Sequence, residues 1–463
     1  MSAAVIRRVM GLGIVAAGVA CAAPAWAQDL TVKAPPQDRA VVIRGATVHP
    51  VSGPAIENGV VMFSAGTIEG VYSAEEFANL EKIVRWAAPG PLFVDATGKH
   101  VYPGLIAPYS QLGLDEIAML EASRDINEAG DYSPEVRAIA AVNADSNNLT
   151  VTRSNGVLAA GVFPQGGVMP GQPAVIKLDG WTWEEMAVSA SLGAVIEWPA
   201  MRPVVNSFVR TPEAEQKKRT RQQLDTLDSM IRSAATYIAA RDADPKTPTD
   251  LRYEALRHVV AGDAKQRKPV FIVANDFDQI TAAVAWAAER ELRCVIVGGA
   301  DAPLCSELLK KHDVPVIVLG TLRFPKRDDS DYNEIFGLPA KLQELGVRFC
   351  ISSGEETPHE RNLPYSAGMA MAHGLSEAAA IRSVTLSAAE ILGVADHLGS
   401  LEKGKDATLI VTTGSPLEVT TQIVDAYIDG KKIDLSNKQM KLYDKYKERY
   451  RQMGELKRDS APR

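Results

Sequence analysis

The 463-residue sequence predicts an α/β fold, a (β/α)8 TIM-like barrel joined to a composite β-sandwich that the N- and C-terminal segments build together. From Ala40 to Val94 the pattern is short and β-like (VVIRGATVHP, GVVMFSAGTIEGV, then PLFVDATG), and a matching segment returns near the other end as ATLIVTTG and IVDAYIDGKKI. Between them, from Val101 to about Gly393, apolar runs alternate with helical stretches: GVLAAGVFP, PAVIKLDG, PVFIVAND, CVIVGGA, VPVIVLG and VRFCISSG. Such alternation favours a parallel sheet. The number of units, with the termini engaged elsewhere, favours a closed barrel over an open sheet.

Arg7 and Arg8 precede an apolar segment, Val9 to Ala23, and Ala25-Trp26-Ala27 offers a small-x-small cleavage site before Gln28. Residues 1–27 therefore read as a secretory signal peptide, and the product as periplasmic or secreted. The segment is short for a membrane anchor, and no later run reaches the ~20 apolar residues of a bilayer span, so no transmembrane segment is expected in the mature chain. Cys21 leaves a lipoprotein as the alternative, although Gly18 is a poor residue three places before such a cysteine. Loss of Arg7 and Arg8 leaves 48 basic against 57 acidic residues, a net charge of -9, and no basic surplus argues for nucleic acid. The remaining cysteines, Cys294, Cys305 and Cys350, are odd in number and lack zinc spacing. Cys294 and Cys350 sit in apolar runs and are expected to be buried thiols.

Residues 28–100 with 401–436 are assigned to the composite β-sandwich, 101–400 to the barrel and 437–463 to a charged C-terminal helix, solvated rather than a binding arm. Glu121 to Asn148 is polar and poorly patterned, a long loop after the first barrel strand. Thr211 to Arg241 reads as an amphipathic helix with Leu224, Leu227, Ile231 and Ala234 on one face. The Gly-rich stretch Pro164 to Ala174 lacks the Lys-Ser/Thr of a phosphate loop and is read as a cover for the barrel mouth. Asp179, Trp181 and Trp183 follow it, and the tryptophans suit either ligand or partner contact or core packing.

The stretch from Asp95 through Pro103-Gly104-Leu105-Ile106 to Gly113 resembles the strand entry of the amidohydrolase superfamily, where a His-x-His pair follows. Gly374-Leu375, Thr385, Ala388-Ala389 and Leu392-Gly393 resemble that superfamily's helix pair after the last barrel strand. Gly399 to Ala407 resembles its return into the sandwich, with Thr408 where Asp is usual. The resemblance covers nearly the whole mature chain and looks closest to the imidazolonepropionase-like branch. It implies a hydrolase of non-peptide C–N bonds such as cyclic amides. In that chemistry a divalent metal at the C-terminal ends of barrel strands lowers the pKa of bound water and polarises the carbonyl.

Carried over position by position, the resemblance places Tyr109 and Gln111 at the paired histidines, and Val273 and Gly298 at the two later histidines. Gly354, within one residue, falls at the aspartate that serves as ligand and proton acceptor. The ligand set is replaced, so no cofactor is expected, and zinc or another divalent metal only through unusual ligands. Among the seven histidines only His359 lies just past a strand's C-terminal end. With Glu355, Glu356 and Arg361 it makes a candidate rim site for a polar ligand, or for a hard cation through the carboxylates. Asn275, Asp276 and Asp278 follow another strand at the same rim, where the aspartates read equally as helix caps. Some members of the superfamily bridge two metals with a modified lysine, a role weighed for Lys177; without companion ligands it reads as an ordinary surface or rim lysine. Two functions remain: an amidohydrolase-like enzyme with impaired metal-dependent catalysis, or a non-catalytic ligand-binding or partner subunit of an active homologous amidohydrolase. Either implies a small-molecule ligand and assembly as a homo-oligomer, or as a hetero-oligomer with that homologue.

Overall fold

A computed structural model of the chain describes residues 32–83, 86, 88–205 and 209–455. The predicted leader, with Cys21, lies outside the described residues, as does the end of the C-terminal segment. Five strands come first: β1 (Val41–Val48), β2 (Ile56–Ser64), β3 (Thr67–Tyr72), β4 (Leu92–Asp95) and β5 (His100–Pro103). The middle holds β6 (Leu105–Ser110), β7 (Val157–Val162), β8 (Ala174–Lys177), β9 (Ala187–Ser189), β10 (Ala194–Glu197), β11 (Val270–Ala274), β12 (Cys294–Gly298), β13 (Val316–Leu319) and β14 (Phe349–Ser352). The chain then returns through β15 (Leu409–Thr412), β16 (Ile423–Ile428) and β17 (Lys431–Lys432).

Strands from both ends share one eight-stranded sheet, ordered β17-β16-β15-β5-β1-β2-β3, with β4 also paired to β1. Gly45, at φ +81°, sits at a register shift in β1, and a Cβ there would lie 2.7 Å from Thr97 Oγ1. The sheet curls until β3 meets the returning chain. The Ile68 N–H donates to the Lys405 carbonyl and the Gly404 N–H to the Ile68 carbonyl, each at 2.8 Å. Val41, Ile43 and Phe63 thereby pack against Leu409, Val411 and Tyr427 in a single core, the composite β-layer that the sequence predicts.

The barrel is built as two arcs. β10 to β14 form a five-stranded parallel sheet, and β6 to β9 form a second, four-stranded one. Alternation along β11 follows the strand period of two: Phe271 and Val273 face the barrel interior, while Val270, Ile272 and Ala274 pack on the surrounding helices. One seam runs between β14 and β6, where Ser352 Oγ donates to the Tyr109 carbonyl at 2.7 Å. The TIM-like architecture stands, with one departure from strict alternation. β8 runs antiparallel to β7, and β9 antiparallel to β8.

That hairpin gives the Gly-rich stretch another job than covering the mouth. Residues 168–173 run beside β10 and close the second seam: the Leu192 N–H donates to the Pro173 carbonyl, Val195 to Gly171 and Glu197 to Val168, at 2.8–2.9 Å. Its other edge pairs with the 121–148 segment, where the Met169 N–H donates to the Asp131 carbonyl and Gln172 to Val136. The expected loop therefore carries buried residues, Ile126, Ala138 and Ile139 among them, and two short 3-10 turns. Outside the barrel, the predicted amphipathic helix spans Glu213–Ala243 and buries Leu227, Ile231, Ala234 and Ile238. Cys294, Cys305 and Cys350 are buried and unpaired with one another.

Lys177 departs from the surface or rim lysine expected of it. Because β8 is antiparallel, its last residue lies at the sheet end of the barrel. There Lys177, 9% exposed, donates to Asp406 Oδ2 at 2.7 Å and to Asp429 Oδ1. Burial works against its charge, but the carboxylates of Asp429 and Asp406 outweigh it and hold the ammonium above the ordinary lysine range. Removing the cation would leave two carboxylates facing each other in a partly buried site. Lys177→Ala is expected to cost roughly 3 kcal/mol in urea unfolding, and a Lys177→Met, Asp406→Asn, Asp429→Asn triple variant to recover most of it. A loss within the error of the unfolding fit would refute the tie.

Candidate functional site at the barrel rim

The C-terminal ends of β6 and β10 to β14 converge where the superfamily's metal chemistry would sit. Tyr109, 8% exposed, lies with its ring centroid 4.6 Å from Phe163, and Phe163 meets Phe271 edge-on at 5.2 Å. These rings and Val273, Val297 and Ile317 belong to one apolar cluster that fills the barrel. Burial, reinforced by the Glu197 carboxylate, pushes the Tyr109 hydroxyl up to about 12. Glu197 ends β10, and burial raises its own carboxyl above the usual range. Gln111, just beyond β6, has a buried amide nitrogen with no hydrogen-bond partner.

The two glycine positions are closed by geometry as well as by composition. At Gly298, φ +104°, a Cβ would lie 2.4 Å from Asn275 Oδ1, so the Asn275 amide occupies the start of any side chain there. At Gly354, φ +65°, a Cβ would lie 2.6 Å from the Leu319 carbonyl carbon. Reciprocally, one on Gly320 would lie 2.3 Å from the Ser353 carbonyl oxygen. β13 and β14 thus end with their backbones in contact, an approach only glycine permits. Among the described residues no group of three or more His, Cys, Asp or Glu side chains is placed to hold a metal ion. Phenol, amide, valine and two glycines at the implied ligand positions do not fit a divalent cation.

Of the candidate rim residues, Asn275 and Asp276 join one cluster and Glu355 and His359 another. The Asn275 and Asp276 N–H groups both donate to Gln279 Oε1, at 3.1 and 3.2 Å, at the start of helix Phe277–Glu289. The Asp276 carboxylate pairs with Lys326, and Asp278 with Arg202. At the centre lies Asp301, 2% exposed, which takes hydrogen bonds from Lys326 at 2.9 Å, from both terminal nitrogens of Arg327 and from the Phe277 N–H. Burial alone would raise its carboxyl, but Arg327 and Lys326 reverse this and hold it below the usual range. The charges are matched in place, so this cluster braces the ends of β11 and β12. In the second cluster Glu355 Oε2 lies 3.7 Å from His359 Nδ1 and accepts from Asn362 Nδ2 at 3.0 Å. Glu356 is exposed, and the Arg361 carbonyl accepts from Asn155 Nδ2 at 2.6 Å.

The sequence reading passed over Glu360, in the same 3-10 turn, Thr357–Asn362. It is 1% exposed, and its Oε2 has no hydrogen-bond partner. Burial pushes its carboxyl up to about 8, with the Ser353 hydrogen bond opposing the shift. The available signal was spacing: Thr357 and Glu360, three apart, share the buried face of a 3-10 turn. A carboxyl raised from 4.5 to about 8 keeps its proton in the folded chain and loses it on unfolding at neutral pH. Stability is therefore greatest below about pH 4.5 as far as this group is concerned, and falls as pH rises towards 8, at up to roughly 1.4 kcal/mol per pH unit. Glu360→Gln is expected to remove that slope in a pH series of chemical unfolding; an unchanged slope would show that the carboxyl titrates normally.

Residues 293–433 match the family model described as "Amidohydrolase family". An amidohydrolase from Hapsidospora irregularis, tasK, is 24% identical over 375 residues, which is 73% of this chain and 37% of that protein. The chain thus spans little more than a third of that relative's length. Among solved structures, an amidohydrolase from Thermotoga maritima MSB8 superposes with a TM-score of 0.71 at 24% identity, covering 85% of this chain and 99% of that one. Molinate hydrolase superposes with a TM-score of 0.53 at 14% identity, covering 88% and 96%. These superpositions share the barrel and its attached sheet. They show the fold, and the 293–433 segment is what this chain has in common with the amidohydrolase family.

Proposed function

We propose that this chain is an exported, imidazolonepropionase-like relative that has given up metal-dependent hydrolysis of cyclic amides. It acts instead as a non-catalytic subunit, binding a ligand or pairing with an active homologous amidohydrolase. Its units would be the composite sheet of 28–100 with 401–436, the barrel of 101–400, and the helix after 437. The observation that carries this reading is the content of the implied metal site. Tyr109, Gln111, Val273, Gly298 and Gly354 supply no ligand set, and Tyr109 packs on Phe163 where solvent and substrate would enter. A fold alone carries no activity. The same rim exposes large apolar side chains on the loops after β6, β10 and β13: Met119 is 97% exposed, Val205 75%, Phe324 94% and Tyr332 76%. Apolar groups gathered on one face suit a protein partner.

A second reading keeps hydrolysis without metal, and Glu197 favours it. A carboxyl raised by burial and close to the Tyr109 hydroxyl is the kind of group a general acid requires. Elemental analysis of the mature protein, purified from the periplasm without chelator, separates these cases when combined with turnover of a cyclic-amide panel. The expected outcome is far less than one metal per chain and no turnover. Near-stoichiometric zinc with chelator-sensitive activity would overturn the proposal. Metal-free turnover lost in Glu197→Gln would establish the second reading instead.

A further inference from the structure

Away from the rim, on the side where β5 passes into β6, a pocket of about 280 Å³ opens between the turn after β1 and the helix Glu377–Ser383. Its floor is a ring stack. His49 lies on Tyr102 with centroids 4.1 Å apart and planes 7° from parallel, and His49 Nε2 meets His100 Nδ1 at 3.0 Å. Tyr102 is buried, and burial raises its hydroxyl above the ordinary tyrosine range. Val51, Pro54, Ala55, Ala378 and Ile381 supply the apolar wall.

The charge in this pocket is of one sign. Glu377 lines it and has no hydrogen-bond or ion-pair partner among the described residues. Its carboxylate is near enough to raise both the Tyr102 hydroxyl and the His49 imidazole. Burial, with His100 second, nevertheless holds His49 below the ordinary histidine range, so the stacked imidazole is neutral at pH 7.5. Among the described residues that line the pocket there is no lysine or arginine.

We propose that this pocket binds a small organic cation, an ammonium group carried on an apolar or aromatic body. The ammonium pairs with Glu377, and the body lies against the Tyr102–His49 stack and the Ala55–Ile381 wall. Each part alone is weak: an exposed ion pair contributes little. Aromatic faces attract a cation, and an apolar wall removes the attached carbon from water. The combination selects against anions, which meet Glu377, and against neutral isosteres, which gain only the wall.

Benzylammonium, benzyl alcohol and benzoate, titrated into the full mature chain at pH 7.5 by calorimetry and NMR, test this directly. Benzylammonium is expected to bind saturably, benzyl alcohol about fivefold more weakly and benzoate not at all. Glu377→Gln should erase the preference for ammonium over alcohol. Ala55→Trp, at an exposed position, should block both while circular dichroism stays unchanged. Absence of saturable benzylammonium binding, or binding unchanged in both variants, overturns the proposal. A preference that survives Glu377→Gln overturns the role of the carboxylate and with it the cation specificity.

Discussion

A closed ring of strands encloses a volume that side chains must fill or that solvent and ligands will occupy. In this chain Tyr109, Phe163 and Phe271 fill it, ring on ring, up to the level where β6 ends. Val273 and Val297 complete the plug. That filling governs the rim above it. Polar groups left near the plug carry the marks of lost water: Glu197 and Tyr109 are raised by burial, and the Gln111 amide nitrogen has no partner. The charged groups further out pair among themselves, as Asp301 does with Lys326 and Arg327.

The two ends of the barrel consequently do different work. At the strand C-termini an apolar interior meets a charge-matched collar and exposed apolar loops. At the sheet end, Lys177 with Asp406 and Asp429 ties β8 to the segments that flank β15 and β16. Breaking into the chain at residue 406 or 429 therefore disturbs the barrel as well as the sheet. Charge braces the fold in both clusters, as it does at the buried Arg153–Asp179 pair, because Coulomb attraction is stronger inside a partly dry site.

Much of the architecture was legible from the sequence because periodicity and end motifs encode it. The alternating runs between Val101 and Gly393 gave the strands of the barrel, and the β-like runs at both ends gave the shared sheet. Strand direction was not legible. AVIK reads as a buried strand in either sense, since an apolar run carries no polarity, and so the β7–β8 hairpin went unseen. Lys177 was misplaced for the same reason, with its partners 229 and 252 residues away. Of the rim candidates, Glu355 and His359 are neighbours in space as in sequence, whereas Asp276 is occupied by a lysine from a loop fifty residues further on. Glu360 was missed because a charged residue between His359 and Arg361 looks solvated until the turn's buried face is known.

The backbone contact between Gly320 and Gly354 restricts what either position can carry. An aspartate at 354 needs a Cβ where the Leu319 carbonyl already stands, in a left-handed conformation that disfavours it. Tyr109 and Val273 lie within β6 and β11 and Gln111 just beyond β6, where no such backbone contact stands. Position 354 cannot take an aspartate until β13 and β14 have moved apart. The close pass of these two glycine backbones, more than any neighbouring side chain, decides what position 354 can hold.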